Sequence, residues 1–396
     1  MTGRNNGLSI VSYVPHGSVP DTRGFAPSLV AYNLMRNFSR ISSITICGLE
    51  AATEAYEVNP EIGPIYRIGE GKIYRRLFRK ITKLDPYPLH ARAANIVRKI
   101  SPDIFHAHQL EFPVNDFLRR LGRRIPVVVH AHVIDRTFSL KNGSADLYVA
   151  VSEYVRDELA DKGYPEDIID VVRNGVETNL FRPALPNEKP DIQKHLNIPA
   201  DAFVISFVGR MQEAKGFHIF LGAAEILLSK YPGLYVLAAG PEPDDARRDK
   251  SYGTSCNTRM KLRTKYGKRY REFPSLPHNE LAELFKATDV ALLPSFADAQ
   301  GMVMIESMSS GCITVSSNLG GIKESISHGS TGFLLNKPDN IEESVHLIEE
   351  IIDHPGRYES IKGKARQFIV DNFDWKISAS KMEKLYFGLF NNLRKE

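Results

Sequence analysis

The chain has 396 residues, of which 42% are hydrophobic and 25% charged, and its formal net charge is +4. One hydrophobic core rarely supports this length, so two globular domains are predicted. The balance of apolar and charged residues excludes a disordered chain, and the small net charge excludes a nucleic-acid-binding tail. Three scattered cysteines without CxxC spacing argue against a disulfide framework or a structural zinc site and favour a reducing, cytoplasmic environment.

Short, β-branched apolar runs recur through the first half of the chain, with amphipathic segments between them. This alternation is typical of a buried parallel sheet with helices on both faces. It predicts a Rossmann-like α/β domain over residues 1–185, which begins with a strand rather than a signal peptide. No apolar run reaches the roughly 20 residues that span a bilayer. The predicted strands are 8–14, 42–48, 103–108, 126–131, 146–152 and 168–175.

Two segments of this domain could meet a partner. The loop 14–29 carries Gly17 and Gly24 and would let an acceptor or a phosphate approach the backbone closely; the alternative is a simple loop. Segment 71–84 places cations beside an apolar helical face, as in helices that lie on anionic lipid. The alternative there is a packed helix with a solvated basic face.

The predicted strand 126–131 leads into a loop with titratable side chains. His130 and His132 share a face of the strand because side chains alternate, and Asp135 follows beyond its end. These histidines could contact a ligand, or they could be buried and bonded to the backbone. The triplet HAH also occurs at 106–108, but the pattern lacks a third ligand, so no metal is expected.

A polar, proline-rich stretch at 182–201 predicts a linker. Beyond it, a second series of apolar runs and helical patterns predicts a second Rossmann-like domain over residues 198–372. Apolar residues at helical spacing then predict a C-terminal helix, 373–396, that packs back on the first domain. The predicted strands of the second domain are 203–210, 234–240, 289–295, 312–317 and 332–335.

Two cations flank the loop that follows the first strand of the second domain. Arg210 and Lys215 come after Gly209 and before the predicted helix 217–231. Both cations and the amides at the start of that helix could converge on a diphosphate. The alternative is ordinary surface charge.

The most informative stretch is 294–325, in which Asp298 and Glu306 lie on either side of a Gly301 turn that begins a predicted helix. In an open α/β sheet, ligands bind beyond the carboxyl ends of the strands, where loop amides and helix N-termini point outward. Carboxylates there suit the hydroxyls of a sugar or a ribose, and the amides suit a phosphate. The alternative is that Asp298 caps the helix and Glu306 is solvated or paired with a cation.

With these residues laid out, the chain resembles the group 1, or family-four, glycosyltransferases over nearly its whole length. These enzymes have the GT-B fold, in which two Rossmann-like α/β domains face each other across a cleft. The family pattern PSxxExFGxxxxEAM is similar to residues 294–308. Asp298 stands at the first glutamate, Glu306 matches the second, and Gln300 stands where an aromatic residue is common.

Three further segments carry the resemblance. The family pattern GRxxxxKG matches residues 209–216, and GGxxE matches residues 320–324. NGVETNLF at 174–181 is similar to the family's NGVD segment. The histidine that the family carries in its first domain fits His132, with Asp135 three positions later.

The resemblance implies transfer of a sugar from a nucleotide diphosphate sugar with retention of configuration. A UDP-sugar is the expected donor, and neither a bound metal nor a tightly bound cofactor is expected. Arg210 and Lys215 would neutralise the departing diphosphate. The implied catalytic residues are His132, Arg210, Lys215 and Asp298. The implied donor-binding residues are Gly209, Arg210, Lys215, Asp298, Gly301, Met302, Val303 and Glu306. The implied acceptor-binding residues are Gly24 and Asp135.

The implied acceptor is a polysaccharide, a lipid-linked glycan or another glycan of the cell envelope. The protein would reach it from the cytoplasm or, through segment 71–84, from the inner face of the plasma membrane.

Two other functions stay open. One is a sugar-nucleotide-binding protein with weakened catalysis, because Asp298 is one methylene shorter than the family's glutamate. The other is a sugar phosphorylase or epimerase on the same fold, although a phosphorylase needs a lysine for pyridoxal phosphate and a much longer chain.

Overall fold

Strands and helices alternate along the chain in the computed structural model, which describes residues 7–21, 25–49, 54–69, 80–82, 87–133, 145–243 and 249–393. The chain divides into two units. The first comprises Met1–Asn174 and Trp375–Glu396, and the second comprises Gly175–Asp374. Each unit is built around a sheet of its own.

The first unit is built on an eight-stranded sheet. Its strands are β1 (Leu8–Val14), β2 (Ile41–Gly48), β3 (Tyr56–Asn59), β4 (Gly63–Ile68), β5 (Ile104–Ala107), β6 (Val127–Ala131), β7 (Leu147–Ala150) and β8 (Ile169–Val171). Their order is β3-β4-β2-β1-β5-β6-β7-β8, and every pairing is parallel except that of β3 with β4. Helices of this unit are α1 (Ala26–Arg36), α2 (Leu89–Ile100), α3 (Val114–Leu121) and α4 (Glu153–Asp161). The central strands are buried throughout, which explains their unbroken apolar runs.

The second unit is built on a six-stranded, fully parallel sheet of order β11-β10-β9-β12-β13-β14. Its strands are β9 (Phe203–Val208), β10 (Leu234–Ala239), β11 (Tyr270–Phe273), β12 (Val290–Leu293), β13 (Ile313–Ser317) and β14 (Phe333–Leu335). Its helices are α5 (Glu188–His195), α6 (Phe217–Lys230), α7 (Tyr252–Tyr266), α8 (His278–Ala287), α9 (Met302–Ser309), α10 (Ile341–Asp353) and α11 (Pro355–Phe373). The predicted fold class, two α/β domains on parallel sheets, is confirmed.

The connection into the second unit differs in detail from the sequence-based expectation. The predicted linker, 182–201, contains helix α5, and the unit boundary lies earlier, at Asn174. The Val176 amide donates to the Phe373 carbonyl at 2.7 Å, so the first residues of this unit are held by its last helix. Proline and charged residues, which indicated a linker, are also common in the first turn of a short helix such as α5.

The last helix, α12 (Trp375–Leu393), belongs to the first unit and packs on α1, as the sequence predicted. Glu383 is only 3% exposed and accepts hydrogen bonds from the amides of Ser39 (2.7 Å) and Arg40 (2.8 Å) and from Ser39 Oγ (3.0 Å). One buried carboxylate thereby joins the C-terminal helix to the loop before β2. Among the described helices, none combines the length and apolar character required to cross a bilayer.

Glu383→Ala should lower the free energy of unfolding by about 2–3 kcal/mol, because three hydrogen bonds to a charged group disappear. Urea unfolding followed by circular dichroism measures this change. The control is Glu359→Ala, which removes a carboxylate that is 68% exposed and should change stability little. Equal effects of the two substitutions would contradict the role assigned to Glu383.

Candidate active site

Two loops of the second unit lie against each other at the carboxyl ends of β9 and β12. Gly216, the residue before α6, has a φ of +69°, and a Cβ there would lie 2.0 Å from the Pro294 carbonyl oxygen. The Phe296 amide donates to the Ala214 carbonyl at 3.0 Å. Only glycine permits this approach of backbone to backbone, and it brings the predicted cationic loop beside the predicted acidic one.

Lys215 and Asp298 form an ion pair between these loops. Lys215 Nζ lies 2.6 Å from Asp298 Oδ2, and both side chains are partly buried. The other carboxylate oxygen, Oδ1, accepts from the Gly301 amide at 3.0 Å, and the Asp298 carbonyl accepts from the Gly321 amide at 3.2 Å. Asp298 is therefore held by the start of α9 and by the glycine turn after β13, and its orientation is determined by backbone groups.

A hollow opens beside this pair. It lies at the carboxyl ends of three parallel strands, which is where α/β sheets bind ligands. Its lining includes five residues predicted to bind the donor: Gly209, Lys215, Asp298, Gly301 and Val303. Residues that the sequence analysis did not single out complete the lining: Phe207, Val208, Leu293, Ser295, Met304, Ser316 and Ile322.

Helix α9 begins at this hollow. Gly301 precedes its first residue with a φ of +82°, and no side chain among the described residues caps the helix. The first amides of an α-helix have no partner within the helix, so those of Met302 and Val303 are donors suited to an anion or a hydroxyl. Arg210, the other predicted cation, is half-buried and follows Gly209 at the end of β9.

Glu306 lies one turn into α9 and is only 5% exposed. Burial raises the pKa of its carboxyl group to about 8, so the group is largely neutral at pH 7. Within the described part of the chain its carboxyl group has no hydrogen-bond partner. The salt bridge considered for Glu306 is therefore absent there, and a buried carboxyl group with a raised pKa is typical of a functional site.

The first unit brings its histidines together. His132 is buried, and burial lowers the pKa of its imidazole to about 3, so it is neutral at pH 7. Its Nε2 lies 3.1 Å from His108 Nδ1, and its ring stacks on that of His130 with centroids 4.2 Å apart. The partner of His132 is thus another histidine. Gly24, Asp135 and most of segment 71–84 lie outside the described residues, and their roles stay predictions.

A second hollow, of about 230 Å³, lies in the first unit. Pro15 and His16 lie in the loop 14–29, which the sequence had already indicated, and Gln109 follows β5, a position that signals ligand contact in parallel sheets; the hollow's other residues were not predicted. Its polar groups come from His16, His90 and Gln109. Its apolar walls come from Tyr13, Pro15, Leu89, Phe112 and Pro113.

Comparison with known proteins identifies the class that this fold and site define. Residues 188–368 match the family described as Glycosyl transferases group 1, and residues 29–180 match Glycosyltransferase Family 4. Together the two matches take in most of the chain. The protein belongs to the group 1 glycosyltransferases, as its resemblance to that family predicted.

Individual relatives agree with this assignment. The chain is 24% identical to the lipopolysaccharide 1,2-N-acetylglucosaminetransferase of Salmonella typhimurium, over 95% of this chain and 97% of that protein. It is 29% identical to the D-inositol 3-phosphate glycosyltransferase of Thermobispora bispora, over 56% of this chain and 51% of that relative, so it spans about half of that relative's length. The crystal structure of Anabaena HepE with UDP and glucose shares the fold, with a TM-score of 0.78, 20% identity and coverage of 96% of this chain and 100% of that one.

Glu306→Gln should remove a pH dependence of stability. Because burial raises the pKa of Glu306, the folded protein holds this proton more tightly than the unfolded chain between about pH 4.5 and 8, and its stability falls as pH rises through that window. Glutamine does not ionise, so the variant lacks this pH dependence. Its free energy of unfolding, relative to that of the wild type, should rise by about 1–4 kcal/mol from pH 5 to pH 9. Urea unfolding at several pH values measures this difference, with the exposed Glu342→Gln as control. A difference that does not change with pH would contradict the prediction.

Proposed function

We propose that this protein transfers a sugar from a nucleotide diphosphate sugar, with a UDP-sugar as the donor, to a polysaccharide, a lipid-linked glycan or another cell-envelope acceptor, with retention of configuration. The observation that carries the proposal is the Lys215–Asp298 pair beside a hollow at the start of α9. The names of the relatives support it, since one acts on lipopolysaccharide and HepE was solved with UDP and glucose.

The donor diphosphate would bind where the cationic loop meets the first amides of α9. Lys215 and Arg210 would neutralise the charge that develops on the departing diphosphate, a term that often dominates catalysis. Lys215 is bonded to Asp298 in the present structure, so it would exchange this carboxylate for a phosphate oxygen when the donor enters. Asp298 would then accept from a hydroxyl of the transferred sugar, and the neutral Glu306 would bond to the ribose.

Retention would proceed by attack on the face that the diphosphate leaves, with no sugar–enzyme intermediate. Both oxygens of Asp298 are already engaged, Oδ2 with Lys215 and Oδ1 with the Gly301 amide, so this carboxylate is poorly placed to act as a nucleophile. Because two cations serve the diphosphate, the proposed transfer needs no metal ion at that point. His132, neutral and buried, would contact the sugar near its reacting carbon.

The acceptor would occupy the hollow of the first unit. That hollow combines aromatic walls, Tyr13 and Phe112, with imidazole and amide groups from His16, His90 and Gln109. Carbohydrate rings present one apolar face and an edge of hydroxyls, so apolar walls with a few directed polar groups suit them. This hollow extends the acceptor side beyond the predicted Gly24 and Asp135.

The donor is identified by thermal unfolding in the presence of UDP-, GDP- and ADP-sugars and of the free nucleotides. A ligand that binds only the folded protein raises the unfolding temperature by mass action. We expect the largest rise with UDP compounds, and saturable transfer or slow hydrolysis of the same donor. A protein stabilised by a nucleotide sugar but without either reaction would be a binding protein. A protein stabilised by none of them would contradict the proposal.

Lys215→Ala should reduce kcat for transfer by about 100- to 1,000-fold, the usual consequence of removing one charged group that stabilises a developing anion. The fold should persist, since the side chain is at the surface of the hollow. Lys230→Ala is the matched control, because this lysine of the same unit is 55% exposed and forms an ion pair with Glu349, away from the hollow. Steady-state kinetics with the donor found above measures both variants; unchanged kcat for Lys215→Ala would remove the central residue of the mechanism.

A further inference from the structure

Four histidines of the first unit form an array on one face of its sheet. His106 and His108 lie at the end of β5, and His130 and His132 lie at the end of the neighbouring β6. Ring centroids are 4.2 Å apart along each strand and 5.3 Å apart between strands. All four side chains are buried.

Several ring nitrogens of this array have no partner. His106 Nε2, both nitrogens of His130 and Nδ1 of His132 are buried without a hydrogen bond in the part of the chain that the structure describes. Each such atom costs about 1–3 kcal/mol. Four unpaired nitrogens in one cluster are unusual in a folded protein and indicate a missing polar partner. Burial and the neighbouring imidazoles lower the pKa of His106, His108 and His130, so these groups are neutral at pH 7.

Three of the histidines are close enough to share one ion. One ring nitrogen from each of His106, His108 and His130 lies within 4.8 Å of the other two. Neutral imidazole is a ligand that zinc and other divalent first-row ions prefer. The third ligand that the HAH triplet lacks in sequence is supplied by the second triplet, because β5 and β6 are adjacent in the sheet.

Two of these histidines also have their second nitrogen engaged. His106 Nδ1 lies 2.6 Å from Tyr386 Oη, and His108 Nδ1 lies 3.1 Å from His132 Nε2. Metal-binding histidines are commonly oriented by a hydrogen bond from the nitrogen that does not bind the metal. Tyr386 and His132 are in the positions of such orienting partners.

We propose that His106, His108 and His130 bind one divalent ion of the zinc type, with water as the fourth ligand. The ion satisfies ring nitrogens that otherwise have no partner, and it fixes His132 through His108. The site lies in the first unit; in the proposed transfer, Arg210 and Lys215 of the second unit, and not this ion, serve the diphosphate.

The test uses the full-length protein, freed of metal with a chelator and then titrated with Zn²⁺ alone or Co²⁺ alone. We expect one equivalent of Zn²⁺ to bind with a Kd below about 1 µM. Bound Zn²⁺ should raise the unfolding temperature by about 5 °C. Bound Co²⁺ should show the intense visible absorption of a four-coordinate site. A weak adventitious site would bind zinc with a Kd on the order of 10 µM or above. A wild type that binds less than one equivalent at about 10 µM free Zn²⁺ would therefore overturn the proposal.

Two variants separate ligation from folding. His130→Leu should abolish binding without lowering the stability of the metal-free protein, because it replaces unpaired buried nitrogens by an apolar group. Tyr386→Phe should keep the fold and weaken Zn²⁺ binding by about 10- to 100-fold, since it removes only an orienting hydrogen bond. His354→Gln, at an exposed histidine of the second unit, is the control. If both Tyr386→Phe and His130→Leu bind Zn²⁺ with the affinity of the wild type, the proposal is overturned. If His130→Leu fails to fold, the Zn²⁺ affinity of Tyr386→Phe decides.

Discussion

The contact of backbone with backbone at Gly216 and Pro294 is the constraint on which the candidate active site depends. A side chain at position 216 would separate the loop after β9 from the loop after β12. Because glycine is present, Lys215 reaches Asp298, and Asp298 in turn is oriented by the amides of Gly301 and Gly321. One glycine thus determines how cation, carboxylate and helix start are arranged around the hollow.

Lys215 and Asp298 balance each other's charge in this site. The ammonium group of Lys215 is paired with a carboxylate, and burial holds the Glu306 carboxyl group largely in its neutral form at pH 7. A diphosphate brings negative charge into this setting, and under the proposed mechanism it takes over the lysine while the carboxylate turns to the sugar. The amides that orient Asp298 are in place before the donor binds, so the rearrangement is confined to the Lys215–Asp298 pair.

In the first unit, the C-terminal helix α12 contacts the histidine array. Tyr386 lies on α12, and its hydroxyl group bonds to His106 on β5. Glu383, one turn earlier on the same helix, bonds to the amides before β2. The C-terminal helix therefore stabilises the sheet and also orients a member of the histidine array, which explains why a distant segment belongs to this unit.

The sequence by itself determined the class of fold, because continuous apolar runs separated by helical patterns allow few arrangements other than parallel sheets covered by helices. It also indicated the family and, through the spacing within the loops at 209–216 and 294–308, five of the residues that line the hollow. It did not reveal β3, whose residues are exposed or half-buried, β4, which begins with glycine and proline, or helix α5 within a proline-rich stretch.

Only the tertiary structure decided which of these residues meet. Lys215 and Asp298 are 83 positions apart, and their contact depends on β9 and β12 being neighbours in the sheet. The two HAH triplets form one array for the same reason, through the adjacency of β5 and β6. The raised pKa of Glu306 arises from burial around α9. Strand order and burial result from the packing of the whole chain, so local sequence patterns do not contain them.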